Sequence, residues 1–151
     1  MTEWKGTKPL VDLMCGSGTF LIEAINQILK VPLKFQQFYL FENWLDFNKN
    51  IYLEEKSKAQ KKVIAFEKLS QIIGCEINKD VFDQAKVNIK LAGLENYIEL
   101  QNDDFKNIEF KSSEGLVLCN PPYGKKLGDE NELITLYEDM GEFLKLSLIH
   151  I

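Results

Sequence analysis

Leu10-Val11-Asp12-Leu13-Met14-Cys15-Gly16-Ser17-Gly18-Thr19 decides the fold of this 151-residue chain. Lys8-Pro9 leads into a short apolar strand, two glycines make a turn, and residues 20–29 place Leu21, Ile25, Ile28 and Leu29 at helical spacing. The order is strand, glycine-rich turn, helix. Gly16 and Gly18 permit a tight turn and close backbone approach to a ligand. Ser17 and Thr19 are placed to cap the helix start, leaving free N–H groups aimed at an anion such as a carboxylate. A purely structural turn is the competing reading. Asp12 weighs against it, because an acid late in an apolar strand is costly to bury without a partner. Phosphate binding is disfavoured, since there is no Gly-Lys-Ser/Thr ending and Leu21 stands where a G-x-G-x-x-G fingerprint needs its third glycine.

The same alternation continues downstream. Residues 71–76 read as a second strand with Glu76 at its end, and Asp80 opens a helix carrying Val81, Phe82, Ala85 and Ile89, closed by Gly93. Residues 97–100 make a third strand, followed by Asn102-Asp103-Asp104-Phe105. Residues 116–119 make a fourth strand. Residues 130–145 form a last helix with Leu133, Leu136, Tyr137, Met140 and Leu144 on one side. Polar candidates therefore gather at the carboxyl ends of strands, as in an α/β doubly wound sheet that binds its ligand where the strand order reverses. An acid such as Glu76 after a second strand holds the two hydroxyls of a ribose, or else caps a helix or faces solvent. Asp104 suits an adenine amino group with Phe105 packed on the ring, the alternative being turn-forming aspartates. Phe35, Phe38, Tyr39, Phe41 and Trp44 follow the helix breaker Pro32 and read as packing over a sheet edge rather than a base-stacking surface. Residues 52–69 read as an amphipathic helix with a lysine- and glutamate-rich solvated face.

Asn120-Pro121-Pro122-Tyr123-Gly124 closes the fourth strand and carries the chemistry. An exocyclic amino group on a base is a poor nucleophile because its lone pair is delocalised into the ring. The Asn120 side-chain oxygen and the Pro121 carbonyl can each accept one N–H, which favours a pyramidal nitrogen with its lone pair facing a methyl donor. Pro121 and Pro122 hold these acceptors still, and Tyr123 offers a flat face to the ring. A plain strand-ending turn is the alternative.

Bulk properties set the limits. The 45% hydrophobic and 27% charged composition suits one globular domain, with no repeat, signal peptide or transmembrane run, so a cytoplasmic protein is expected. Cys15, Cys75 and Cys119 have no metal-ligand spacing and read as reduced core thiols, with no metal expected. The net charge is −5 and all 18 basic residues are lysine. Bidentate arginine contacts to phosphate or guanine are therefore absent, and nucleic acid binding would need help from elsewhere.

Taken together, residues 11–24, the Phe41-Glu42-Asn43-Trp44 segment and residues 120–128 closely resemble the catalytic domain of bacterial 23S rRNA guanine-N2 methyltransferases of the THUMP-containing family. The resemblance runs from about residue 5 to 145 and implies a Rossmann-like class I methyltransferase sheet with S-adenosylmethionine as cofactor. It implies that Asp12, Cys15, Gly16, Ser17, Gly18 and Thr19 lie at the methionine end, Glu76 at the ribose and Asp104 at the adenine. Asn120, Pro121, Pro122 and Tyr123 would act at the target base, with Asn120 also beside the cofactor. RNA is the implied partner, through an RNA-binding region that the chain lacks. Residues 1–145 are expected to form a methyltransferase domain incomplete at its C-terminal strands, with 146–151 a non-matching tail and one sheet edge left uncovered. The same Asn-Pro-Pro-Tyr chemistry serves N6-adenine and glutamine-amide methylation. A non-catalytic cofactor-binding or RNA-associated fragment is the reading from a different class.

Overall fold

The computed structural model describes residues 4–30, 39–61, 69–108, 114–122 and 130–148. Four strands, β1 (Leu10–Asp12), β2 (Ile72–Cys75), β3 (Glu99–Gln101) and β4 (Leu116–Leu118), form one sheet in the order β3-β2-β1-β4. Every pairing is parallel. The chain steps outward from β1 to β3, then returns to lay β4 on the other side of β1. That reversal between β1 and β4 is the strand-order switch of a doubly wound sheet. Among the described residues four helices accompany the strands: α1 (Thr19–Leu29), α2 (Lys49–Gln60), α3 (Lys79–Ala92) and α4 (Glu130–Leu148). Single 3-10 turns lie at Leu40–Asn43 and Phe105–Asn107.

The chain divides into two compact units, one of Met1–Ile22 with Leu69–Ile151 and one of Glu23–Lys68. The first holds the sheet. Leu10, Val11 and Asp12 are all buried, as are all four residues of β2, because strands in the middle of a parallel sheet are covered on both faces. Val11, Leu13, Ile73, Cys75, Phe105 and Ile108 make a buried cluster against which Val117 of β4 and Leu136, Met140 and Phe143 of α4 pack. Gly74 sits mid-strand for a steric reason: a Cβ there would run into Cδ1 of Leu21 and lie 2.9 Å from Cδ2 of Leu100. The missing side chain lets the first turns of α1 lie close on β2.

Local chemistry sets the ends of α3. Asn78, not Asp80, is its N-cap, with its side-chain oxygen accepting from the N–H groups of Asp80 and Val81. Gly93 closes it in the left-handed conformation, φ 71°. β1 ends two residues earlier than the apolar run, at Asp12, although the Leu13 N–H still donates to the Leu118 carbonyl at 3.2 Å. α4 continues three residues past the expected end, to Leu148.

In the second unit, Phe41 is the hub of the aromatic cluster. It stacks on Tyr39 at 5.3 Å and meets Trp44, Phe47 and Tyr52 at angles between 53° and 74°. Phe47 and Tyr52 extend the cluster beyond the residues singled out in the sequence; Pro32, Phe35 and Phe38 lie outside the described residues. α2 covers 49–60 and buries no residue, so the expected apolar face is weak there; residues 62–68 also lie outside. No helix among the described residues is long and apolar enough to cross a membrane.

Candidate active site

A cleft of about 600 Å³ opens at the carboxyl ends of the strands, astride the switch between β1 and β4. Its walls come from every strand end. The glycine turn contributes Met14 and Gly16, the end of β2 contributes Glu76 and Ile77, the loop after β3 contributes Asp103, Asp104 and Phe105, and the loop after β4 contributes Asn120, Pro121 and Pro122. Val81 of α3 and Leu136 of α4 complete it.

Gly16 has φ +55° and open space where a Cβ would point. Its N–H donates to Oε2 of Glu76 at 3.1 Å, while Oε1 of Glu76 accepts from the Asn78 N–H at 2.8 Å. The donor expected to face an anion is thus engaged by Glu76, which ties the glycine turn to the end of β2. Asn102 adds a second tie, its Nδ2 donating to the carbonyls of Glu76 and Ile77 at 2.8 and 3.2 Å. Glu76 therefore stands at the junction of three strand ends.

Gly18 is buried with φ +80°, and a Cβ there would lie 3.4 Å from Cδ1 of Ile89 and 3.6 Å from Cβ of Ala85, so its missing side chain allows close contact with α3. The first helical bond of α1 runs from the Ile22 N–H to the Gly18 carbonyl. Gly18 therefore holds the N-cap position, which corrects the expectation that Ser17 and Thr19 cap the helix. Their hydroxyls share a hydrogen bond at 3.0 Å instead, and the Ser17 carbonyl accepts from Nδ2 of Asn88. Neither residue lines the cleft.

Cys15 spends its backbone on the turn, donating to the Cys75 carbonyl at 2.8 Å and accepting from Gly18 at 2.9 Å. Its thiol is buried beside Gly74, and that burial pushes its pKa up to about 12. The side chain belongs to the core. Asp12 is fully buried. Its Oδ1 accepts weakly from the Met14 N–H at 3.3 Å, and Oδ2 has no hydrogen-bond partner among the described residues. Burial raises its pKa to about 6, the Met14 bond opposing and the nearby Glu76 charge adding to the shift. A buried carboxylate oxygen left open beside the glycine turn suits a cationic group or a water.

Asp104 lies on the cleft wall and caps the turn Phe105–Asn107 through Oδ1 and the Lys106 N–H, 3.0 Å. Asp103 lies beside it, accepting from the Asp104 N–H and from Nδ2 of Asn107. These bonds hold the Asp103 carboxyl below its usual range. Phe105 departs from expectation: its ring is buried and meets Phe143 of α4 edge-on at 5.7 Å, so it supports the cleft floor rather than lying open to a ligand ring. The exposed apolar residue on that side is Ile77, 69% exposed. Sequence reasoning missed it, although a lone isoleucine between a strand-end acid and a helix cap is a readable signal. Met14, Val81 and Leu136 carry no such signal, because a cleft wall and a core use the same apolar positions. Asn120 is exposed, with Pro121 and Pro122 half-buried behind it; Tyr123 and residues 124–128 lie outside the described residues. Among the described residues no group of three or more His, Cys, Asp or Glu side chains is arranged to hold a metal ion.

The profile described as "RMKL-like, methyltransferase domain" matches residues 1–149. The chain belongs to the RMKL-like methyltransferase-domain family. Like other members, it is similar to a Buchnera aphidicola protein named ribosomal RNA large subunit methyltransferase K/L, 36% identical over 146 residues that cover 91% of this chain and 21% of that protein. The crystal structure of SMU.472, described as "a putative methyltransferase complexed with SAH", superimposes with a TM-score of 0.82 at 28% identity, covering 94% of this chain and 37% of the other. A Listeria monocytogenes structure, described as a predicted N6-adenine-specific DNA methylase, gives 0.82 at 30% identity, with 96% and 38% coverage. This RMKL-like domain thus spans between a fifth and two-fifths of the length of these three proteins. The shared fold is a methyltransferase sheet, of which the four parallel strands described above are part.

Proposed function

We propose that this RMKL-like domain binds S-adenosylmethionine in the cleft and transfers a methyl group to an exocyclic amine of an RNA base, guanine N2 of 23S rRNA being the preferred target. One observation carries the reading. Asn120 and Pro121, at the end of β4, share a single cleft with Gly16, Glu76 and Asp104 across the strand-order switch. The site fits an adenosyl group with a charged amino-acid tail. Glu76 offers carboxylate oxygens to ribose hydroxyls, Asp104 offers an acceptor to the adenine amino group, and Ile77 with Val81 supplies apolar walls for the ring. Asp12 is fully buried and does not line the cleft, so its carboxyl would act on the ammonium end of the tail through its charge rather than by contact.

The cofactor supplies a methyl group on a positively charged sulfur, already activated toward attack. The protein's own part is positioning. The side-chain oxygen of Asn120 and the Pro121 carbonyl accept the two N–H bonds of the target amine and turn its lone pair toward the donor. The proline pair fixes both acceptors; as the N–C bond formed, the methyl–sulfur bond would break with its electron pair left on the sulfur, giving S-adenosylhomocysteine, and the surplus amine proton would pass to water. No general base is required. A target base within structured RNA must be drawn out of its stack to reach Asn120.

Nucleoside mass spectrometry after incubation with S-adenosylmethionine and unmodified total RNA tests the reading. New N2-methylguanosine supports it. New N6-methyladenosine would favour the second reading, N6-adenine methylation, which the description of the Listeria neighbour and the amine-accepting chemistry of Asn120-Pro121 support. Binding of S-adenosylhomocysteine with no modified nucleoside would instead support a cofactor-binding fragment or a peptide amide target.

A further inference from the structure

Lys106 follows Asp104 directly and has no part in the chemistry above, yet it is bonded on both sides. Its N–H donates to Oδ1 of Asp104 at 3.0 Å, and its Nζ lies 3.5 Å from Oδ2 of the same carboxylate. The same Nζ donates to Oδ2 of Asp139 at 2.9 Å. Asp139 sits on α4 one turn beyond Leu136, which lines the cleft. Below this bridge, Phe105 and Phe143 join the same two elements edge to face. The turn after β3 and helix α4 therefore meet in two layers, apolar beneath and ionic above.

We propose that Lys106 is a positioning residue that fastens the adenine-side carboxylate Asp104 to α4 through Asp139, so that Asp104 and Leu136 present a single preformed wall to the adenosyl group. The inference rests on the cofactor reading of the cleft. An exposed ion pair contributes little to global stability, so the bridge is not explained as a fold stabiliser. Its value is geometric. One ammonium bridges two carboxylates from separate elements and offsets their mutual repulsion, which without it pushes the Asp104 turn and α4 apart. Both partners raise the Lys106 pKa, the hydrogen bond to Asp139 being the largest cause.

Calorimetric titration with S-adenosylhomocysteine, paired with thermal melts, tests this on wild type, Lys106→Met, Lys106→Arg and Asp139→Ala. The expected result is about fivefold weaker binding for Lys106→Met and for Asp139→Ala, with a nearly unchanged Tm and recovery in Lys106→Arg. The double variant should lose no more than either single one. In turnover assays KM for the cofactor should rise while kcat holds. Wild-type binding with Lys106→Met equally tight would overturn the inference and leave the cofactor reading intact. A loss that tracks a large fall in Tm and is not recovered by arginine would also overturn it. If wild type binds no S-adenosylhomocysteine, the cofactor reading fails and takes this inference with it.

Discussion

Asp12 shows how a single residue sets stability against function. Its folded pKa of about 6 lies above the ordinary 3.8, so the folded chain holds a proton on this carboxyl through a range where the unfolded chain has released it. Stability from this group is therefore highest below about pH 4, falls as pH rises to about 6, and stays low above that. The deficit at neutral pH is about 3 kcal/mol for a shift of this size. Asp12→Asn should raise Tm at pH 7.5, flatten the stability profile between pH 4 and 6 in calorimetry, and weaken S-adenosylhomocysteine binding. A variant that is no more stable at pH 7.5 than wild type would show that Oδ2 is already satisfied. Asn120→Ala is expected to behave in the opposite way: cofactor affinity and Tm hold, while methyl transfer measured with a radiolabelled donor falls by about a hundredfold or more. Residue type made Glu76, Asp104 and Asn120 candidates in the sequence, as polar groups closing apolar strands, and all three line the cleft. Sequence alone did not say which way the side chains of Ser17, Thr19 and Phe105 face, whereas Cys15 was legible as a core thiol. Whether a hydroxyl or ring faces a ligand depends on which way a turn folds, and only the packing of Gly18 on α3 and of Phe105 on Phe143 decides that.

At the scale of elements, two glycines separate backbone freedom from space. Gly93 ends α3 with φ 71° and nothing near a hypothetical Cβ, so Gly93→Ala meets only conformational strain and should cost about 1 kcal/mol. Gly74 is buried between Leu21 and Leu100, and Gly74→Ala must displace side chains from two elements, at about 1–3 kcal/mol. Urea titration of the two variants checks the order; an equal or smaller loss at Gly74 would mean that α1 yields readily. β1 and β2 were legible as apolar runs because both are fully buried, and α3 from the spacing of its buried Ala85 and Ile89. α2 was legible as a helix but not in its start, which lies three residues before the expected Tyr52 and is set locally by Asn48 accepting from Asn50 and Ile51. Likewise the end of α3 was legible from Gly93, whereas its start was assigned two residues late because Asn78 and Asp80 are both acceptable caps in sequence.

For the whole molecule, the strand order was foreseeable only as a class. Alternating β and α elements imply a parallel sheet, but nothing local to Leu116–Leu118 says that it returns to β1 rather than extending beyond β3. That return gives β1 two different neighbours, and the backbone at its carboxyl end divides between them: Leu13 donates to Leu118 on one side and Cys15 donates to Cys75 on the other. These two amides, two residues apart, are consequently separate clocks. β4 has a partner on one side only among the described residues and is half-buried, whereas β2 is fully buried and paired on both sides. In amide hydrogen exchange followed by NMR, the Leu13 proton should therefore be lost before that of Cys15. The reverse order would place the weaker seam between β1 and β2. A ligand bridging Asn120 to Glu76 would slow both together, so one pair of resonances reports how the molecule comes apart and whether the cleft is filled.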